Sequence, residues 1–202
     1  MKPNRTSFFF ALVLAGAAPM IAAQESKPTA ESKSEYRVGD RLPQPKAPAA
    51  NAGFREVNWD ALVPKNWDPQ QLFKGLDLGQ MSDGDPRAME ALERMKKAWS
   101  EAPVEPSLNG ARIRIPGFIV PLDAQRGKVK EFLLVPYFGA CIHTPPPPAN
   151  QIVHAFAAKP IKDVQMMSAV WVSGTVETVR SDTEFGASGY RMKAEIVTPY
   201  KQ

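Results

Sequence analysis

The residues best suited to chemistry in this chain are its one cysteine and its two histidines, which fall close together. Cys141, His143 and His154 lie within fourteen positions of a 202-residue sequence. Thiol and imidazole groups react or bind metal ions near neutral pH. A thiolate with one or two imidazoles suits Zn(II) or copper, with Asp123, Glu131 or water to complete the coordination sphere. The sequence therefore predicts a metal site at Cys141, His143 and His154.

The geometry of this site depends on the strands that carry it. On an extended strand, residues two apart share a face, so Cys141 and His143 are expected to point the same way. His154 comes from the next strand and joins them only if it pairs opposite Cys141, because a shift of one residue turns it to the other face. The proline run 145–148 fixes no register. A three-residue site and a two-residue site both stay open.

Two other interpretations of this segment compete with metal binding. In the first, Cys141 is a catalytic nucleophile with His143 as its base, although no third residue that would orient His143 is evident. In the second, Cys141 is a small buried apolar side chain, and the barrel binds a partner without a metal. The run 145–148 is stiff and lacks backbone donors, which suits a rigid crossover or an apolar face for a partner.

Alternating apolar residues predict a small β domain in the second half of the chain. Five segments have the pattern of strands: 112–115, 129–138, 151–157, 169–179 and 188–197. Five strands in about ninety residues favour a mainly β fold, a small antiparallel five-stranded OB-like barrel over 107–202, with a five-stranded sandwich as the alternative. Gly117 and Gly174 are expected where strands bend strongly.

Residues 54–106 have the pattern of a helical segment that packs on the barrel, with Trp59 and Leu62 among its apolar anchors. Asp68-Pro69 and Asp85-Pro86 each place a capping residue before a proline at the first helical position. An apolar stripe with helical spacing follows the second pair: Ala88, Leu92, Met95 and Trp99. Two pairs are spaced for ion pairs on the outer face: Glu90/Arg94 and Glu93/Lys97. Such a stripe is typical of core packing, so it predicts no chemistry.

The N-terminal residues 1–23 have the three parts of a signal peptide. Lys2 and Arg5 precede an apolar stretch, and small residues follow it up to Ala23. The stretch is too short for a comfortable membrane span, and no later segment approaches one. No cysteine stands at the expected cleavage position after the apolar stretch, which excludes lipid attachment at a new N-terminal cysteine. We expect a periplasmic protein, in which the proline-rich residues 24–53 form a disordered arm.

Charge and composition exclude several classes of function. The net charge of +4 falls to about +2 when residues 1–23 are removed, because Lys2 and Arg5 leave with them. No basic run and no interleaved basic and aromatic surface is present, which argues against nucleic acid as a partner. The sequence has no phosphate-binding glycine loop and no hydrolase elbow. One cysteine also excludes an internal disulfide.

Several motifs carry a resemblance to a known family. They are the strand Gly-Phe-Ile-Val-Pro-Leu from Gly117, the element Cys-Ile-His-x-Pro-Pro-Pro-Pro from Cys141, and the segment Trp-Val-Ser-Gly-Thr from Trp171. Together they resemble exported bacterial proteins catalogued as domain of unknown function 3299, over roughly residues 54–200. The resemblance implies a periplasmic accessory of an export-type ABC transporter or a zinc- or copper-handling system, and carries over no catalytic residue. It also implies an aromatic residue such as Tyr at the position of His154 in many relatives, which favours the two-residue site.

Overall fold

A seven-stranded sheet dominates the protein, and five of its strands close into a barrel. The structure, a computed structural model, describes residues 36–43, 50–51, 53–69, 74, 85–123 and 127–201. The predicted signal peptide and the helix predicted after Asp68-Pro69 lie outside these residues, apart from 68–69 and 74. Nine strands and one α-helix occur in the described part: β1 (Ala50–Asn51), β2 (Phe54–Glu56), α1 (Pro86–Ser100), β3 (Arg112–Pro121), β4 (Lys128–Val135), β5 (Val153–Lys162), β6 (Ala169–Glu177), β7 (Ser181–Thr183), β8 (Gly186–Ser188) and β9 (Tyr190–Pro199).

The barrel runs in the order β3-β4-β5-β9-β6, and β6 pairs again with β3 to close it. This confirms the mainly β fold and the OB-like barrel. Four of the five seams are antiparallel, whereas β5 and β9 pair in parallel, with Val153 opposite Tyr190. A parallel pair needs a long connection, and β5 and β9 have one because β6, β7 and β8 lie between them in the chain.

Alternation along the strands divides the apolar residues between two clusters. The barrel interior holds side chains from all five strands, including Ile113, Ile115, Phe132, Leu134, Val153, Val172, Tyr190 and Met192. A second cluster, here the outer cluster, covers the outside of β3 and β4 and includes Leu42, Phe118, Val120, Leu133, Val135, Ile152 and Met167. Gly174 lies at a bulge where β6 shifts register against β9, and a Cβ there would stand 2.1 Å from the Lys193 carbonyl oxygen. The prediction of a sharply bent strand at Gly174 is confirmed.

The segment predicted to be helical is confirmed only in part. Its start is strand β2, which is followed by a 3-10 turn, Trp59–Leu62, whose two apolar ends are fully buried in the barrel core. The Trp59 indole Nε1 donates to the Pro116 carbonyl at 2.7 Å, and the Tyr190 hydroxyl donates to the Leu62 carbonyl at 2.6 Å. These bonds fix the turn to the barrel, as expected for the anchors Trp59 and Leu62.

Helix α1 begins where the sequence predicts. Asp85 caps it by accepting a hydrogen bond from the Arg87 amide at 2.9 Å. The predicted Glu90/Arg94 ion pair is present, whereas Glu93 binds Lys96 at 2.8 Å, so the predicted Glu93/Lys97 pair is wrong. Residues three and four apart are both neighbours on a helix surface, and spacing alone does not choose between them. Within the described residues, no helix has the length and apolar character to cross a membrane.

Part of the segment predicted to be a disordered arm packs on the barrel. Leu42 is 2% exposed, and the Tyr36 ring contacts the rings of Phe118 and Phe138 at centroid distances of 5.2 and 6.2 Å. The Gly39 amide also donates to the Phe138 carbonyl at 2.9 Å. Residues 36–43 therefore belong to the folded unit, because their few apolar side chains complete the outer cluster. Residues 24–35, 44–49 and 52 lie outside the described part.

Candidate functional site

Cys141 and His143 lie in a tight turn that follows β4. The amides of Ile142 and His143 both donate to the Gly139 carbonyl, at 3.3 and 2.9 Å. Gly139 and Cys141 both have positive φ, 85° and 66°. A side chain at Gly139 would contact Val38 at 3.1 Å, so glycine there allows both the conformation and the close approach. The prediction that Cys141 and His143 lie on one face of an extended strand is therefore wrong.

The Cys141 thiol is half-buried against the outer cluster. Burial raises the pKa of Cys141 to about 12, from an ordinary value of 9.0, because a thiolate is poorly solvated there. A thiol held in its protonated form is a weak nucleophile. His143, two residues away, is exposed to solvent. The turn therefore offers one soft sulfur donor and one accessible imidazole, and nothing in its surroundings activates the sulfur.

His154 is held elsewhere, on β5. It lies opposite Leu133 of β4, and its side chain is 8% exposed. Its Nε2 is 2.8 Å from a carboxylate oxygen of Glu131, and its ring stacks at a tilt on Phe156 with centroids 4.5 Å apart. Its Nδ1 is buried and has no hydrogen-bond partner among the described residues. His154 is therefore a buried histidine with one ring nitrogen, Nε2, hydrogen-bonded to a carboxylate.

The two carboxylates expected to complete a metal site are also engaged. Glu131 binds His154, while Asp123 accepts hydrogen bonds from the amides of Lys130 and Glu131 at 2.9 and 2.7 Å. Asp123 therefore ties the end of β3 to β4. Across the described part of the chain, no three His, Cys, Asp or Glu side chains form a group that could hold a metal ion. The structure thus places Cys141 and His143 together in one turn and His154 in a separate ladder with Glu131.

The proline run forms one wall of an apolar cavity. Pro145, Pro146 and Pro147 face helix α1 and strand β8 across a space of about 300 Å³. From α1 the cavity takes Leu92, Met95, Lys96, Trp99 and Ser100, and from β8 it takes Gly186 and Ala187. We call this cavity the proline groove. The Trp99 Nε1 is buried without a hydrogen-bond partner among the described residues.

The helical stripe thus has a role that its spacing did not reveal. Leu92 is 39% exposed, and Met95 and Trp99 line the groove, so the expectation that the whole stripe packs in the core is wrong for Leu92. The sequence indicated one wall of the proline groove, since the run 145–148 was a candidate face for a partner. It could not indicate the other wall, because the contact that brings α1 beside the prolines joins distant segments of the chain.

Comparisons with known proteins agree with the fold. The family model for DUF3299, described as a protein of unknown function, matches residues 59–199. The chain is similar to a DUF3299 family protein from Pseudomonas aeruginosa PAO1 known from a crystal structure, with 37% identity over 74% of this chain and 97% of that chain and a TM-score of 0.58. A "putative aspartyl-tRNA synthetase" from Leishmania major Friedlin matches at 18% identity over 51% of this chain and 19% of that chain, with a TM-score of 0.32, and carries no argument. No curated protein matches the chain.

Proposed function

This chain belongs to the DUF3299 family of proteins of unknown function, and from that premise we propose that it is a non-enzymatic, exported accessory protein that acts by binding. Its place of action is the cell envelope, as part of a transporter or metal-handling system. The export signal predicted over residues 1–23 supports the location. The family resemblance around Cys141 supports the accessory role.

The raised thiol pKa of Cys141 and the position of His143 favour a binding function over a catalytic one. A catalytic cysteine needs a lowered thiol pKa and a base held in line with the sulfur. Here burial raises the pKa of Cys141, and His143 points to solvent from a turn rather than along a shared strand face. The thiol-dependent enzyme considered from the sequence has no support in this geometry.

Metal binding, within this proposal, uses Cys141 and His143. Sulfur and imidazole are donors that Zn(II) and Cu(I) accept, and the two residues share one turn. The described residues supply no third donor there, so solvent or a partner protein provides the remaining ligands. His154 is left out of this two-residue site because Glu131 and Phe156 already hold it.

Calorimetric titration of the reduced protein with Zn(II) and with Cu(I) tests the metal site. We expect binding tighter than about one micromolar. Cys141→Ala and His143→Ala should each abolish the heat of binding, whereas His154→Gln should retain it. Loss of binding in His154→Gln as well as in the other two variants would restore the three-residue site, and no binding by the parent protein would overturn metal binding altogether.

The proline groove favours a second candidate, a partner-binding barrel without a metal. Its walls are mostly apolar side chains and prolines, with Lys96 and Ser100 at the α1 side, and the Trp99 indole donor in it has no partner in the described part of the chain. The prolines offer no backbone N–H. Ala187→Leu would fill the groove and should weaken binding of the apolar dye anilinonaphthalene sulfonate. Ala61→Leu, at an exposed position of the 3-10 turn, is the matched control and should leave dye binding unchanged. Equal dye binding by both variants would show that the groove is not a binding surface.

A further inference from the structure

The parallel seam of the barrel opens at one end. The pairing of β5 with β9 stops at Ala157 opposite Ala194, although both strands continue. Beyond that point β5 pairs with β4 only at Ile161 and Lys162, because an irregularity in the β4–β5 register leaves residues 158–160 unpaired, while β9 reaches Pro199 and pairs only with β6. Two strand edges, 158–162 and 195–199, therefore face each other without pairing. We call the space between them the seam opening.

Apolar side chains of the barrel form the floor of the seam opening. The seam opening consists of two adjoining cavities of about 430 and 490 Å³, and Ile161, Lys162 and Val197 line both of them. Ile161, Val164 and Val197 pack against the interior core while remaining partly exposed. Ile196, also in the lining, is 45% exposed. The connection from β5 to β6, residues 163–168, is described throughout and contains no helix that would cover this end of the barrel.

The rim of the seam opening is positive. Lys159 and Lys162 line it, and Lys128 lies directly across the β4–β5 ladder from Lys162. Among the described residues none of these three lysines forms an ion pair, and like charges directly opposite each other destabilise a sheet. Two acidic residues line the opening. The Glu195 carboxylate is paired with the Arg112 guanidinium at 3.1 and 3.2 Å, and Asp163 lies in the lining of the larger cavity.

We propose that the seam opening binds an extended, acidic segment of a partner protein, which adds as a strand between the tails of β5 and β9. Unpaired edges supply backbone donors and acceptors for such a strand, although Pro160 contributes only its carbonyl. The apolar floor takes alternate side chains of the segment, and Lys159 and Lys162 take its carboxylates. A lipid surface would use the charge and the apolar floor but not the two strand edges. An extended peptide uses all three features.

Isotope-labelled protein titrated with synthetic octapeptides tests this assignment by NMR. A peptide alternating glutamate and valine should shift the amides of 158–162 and 195–199, and a peptide alternating lysine and valine should not. N-methylation of alternate peptide amides should abolish binding, because it removes the donors to the strand edges. Lys159→Glu combined with Lys162→Glu should weaken the acidic peptide about ten-fold, since each exposed ion pair contributes up to about 1 kcal/mol. Lys97→Glu on α1 is the matched control and should change nothing.

Four results would overturn the proposal. They are the absence of shifts at millimolar acidic peptide, shifts confined to the proline groove, equal binding of the N-methylated peptide, and binding to phosphatidylglycerol vesicles without binding to the peptide. None of them bears on Cys141 or His143, so the seam opening and the metal site succeed or fail separately.

Discussion

Tyr190 joins three parts of the chain through one hydroxyl group inside the barrel. That hydroxyl donates to the Leu62 carbonyl at 2.6 Å and accepts from the Glu105 amide, also at 2.6 Å. Both Tyr190 and Leu62 are fully buried, while Glu105 is only partly so. Tyr190→Phe keeps the ring in the core and removes both bonds at once.

The expected cost follows from what each partner loses. The Leu62 carbonyl stays buried and cannot recruit water, which costs about 1–3 kcal/mol. The partly exposed Glu105 amide can find water, so its loss is nearer the net value of a hydrogen bond, about 1 kcal/mol. Tyr190→Phe should therefore lower the free energy of unfolding by about 2–4 kcal/mol, a large part of the stability of an ordinary domain.

Denaturant unfolding followed by circular dichroism measures this difference. Tyr200→Phe is the matched control, because its hydroxyl makes an exposed bond to the Pro43 carbonyl at 3.2 Å. Removing that hydroxyl should change stability by less than about 0.5 kcal/mol. If both substitutions cost the same small amount, the turn Trp59–Leu62 is not fixed to the barrel through Tyr190 and the account of the core is wrong.

Three further predictions concern the sheet and its buried groups. Gly174→Ala should destabilise the protein by about 1–3 kcal/mol or more in urea unfolding, because its Cβ would stand 2.1 Å from the Lys193 carbonyl oxygen; unchanged stability would contradict the close approach at the bulge. Glu131→Ala should cost about 1–3 kcal/mol at neutral pH, since it removes the carboxylate partner of the buried His154 imidazole, and unchanged stability would show that the contact contributes nothing. Stability should fall as pH rises from about 9 to about 10, by up to about 1 kcal/mol per pH unit, because unfolding releases the Cys141 thiol to ionise at its ordinary pKa; below that range both states are protonated, above it the raised pKa of the buried Tyr190 acts in the same direction, and Cys141→Ala should flatten the decline between about pH 9 and 10.

Local sequence patterns predicted the positions of the strands and of the helix better than they predicted which strands pair with each other. Alternation located three of the barrel strands, continuous apolar runs located the other two, and the Asp85-Pro86 pair located the start of α1, because all these signals depend on neighbours in the chain. Strand β3 extends to Pro121, beyond the predicted segment 112–115. The prediction ended early because Gly117 and the apolar residues after it interrupt the alternation. The parallel pairing of β5 with β9 is a contact between distant segments, which periodicity does not encode.

The sequence identified the segment that holds Cys141 and His143 but not the conformation of that segment. The concentration of Cys141 and His143 in one short segment was visible from composition, but the turn that holds them was not. A non-glycine residue with positive φ is uncommon, so nothing in the residue type of Cys141 signals its left-handed conformation. The partner of His154 was likewise a matter of register: β5 pairs with β4 so that His154 lies opposite Leu133 and within reach of Glu131.

The reactivity of Cys141 tests most directly the claim that this protein binds rather than catalyses. The chain has one cysteine, so the rate of alkylation by iodoacetamide reports on that thiol alone. With its pKa raised to about 12, the native thiol should react about a thousand-fold more slowly near neutral pH than in the denatured protein, and its rate should still be rising at pH 11. A native rate equal to that of the denatured protein, with an inflection below pH 9, would contradict the account and restore Cys141 as a nucleophile.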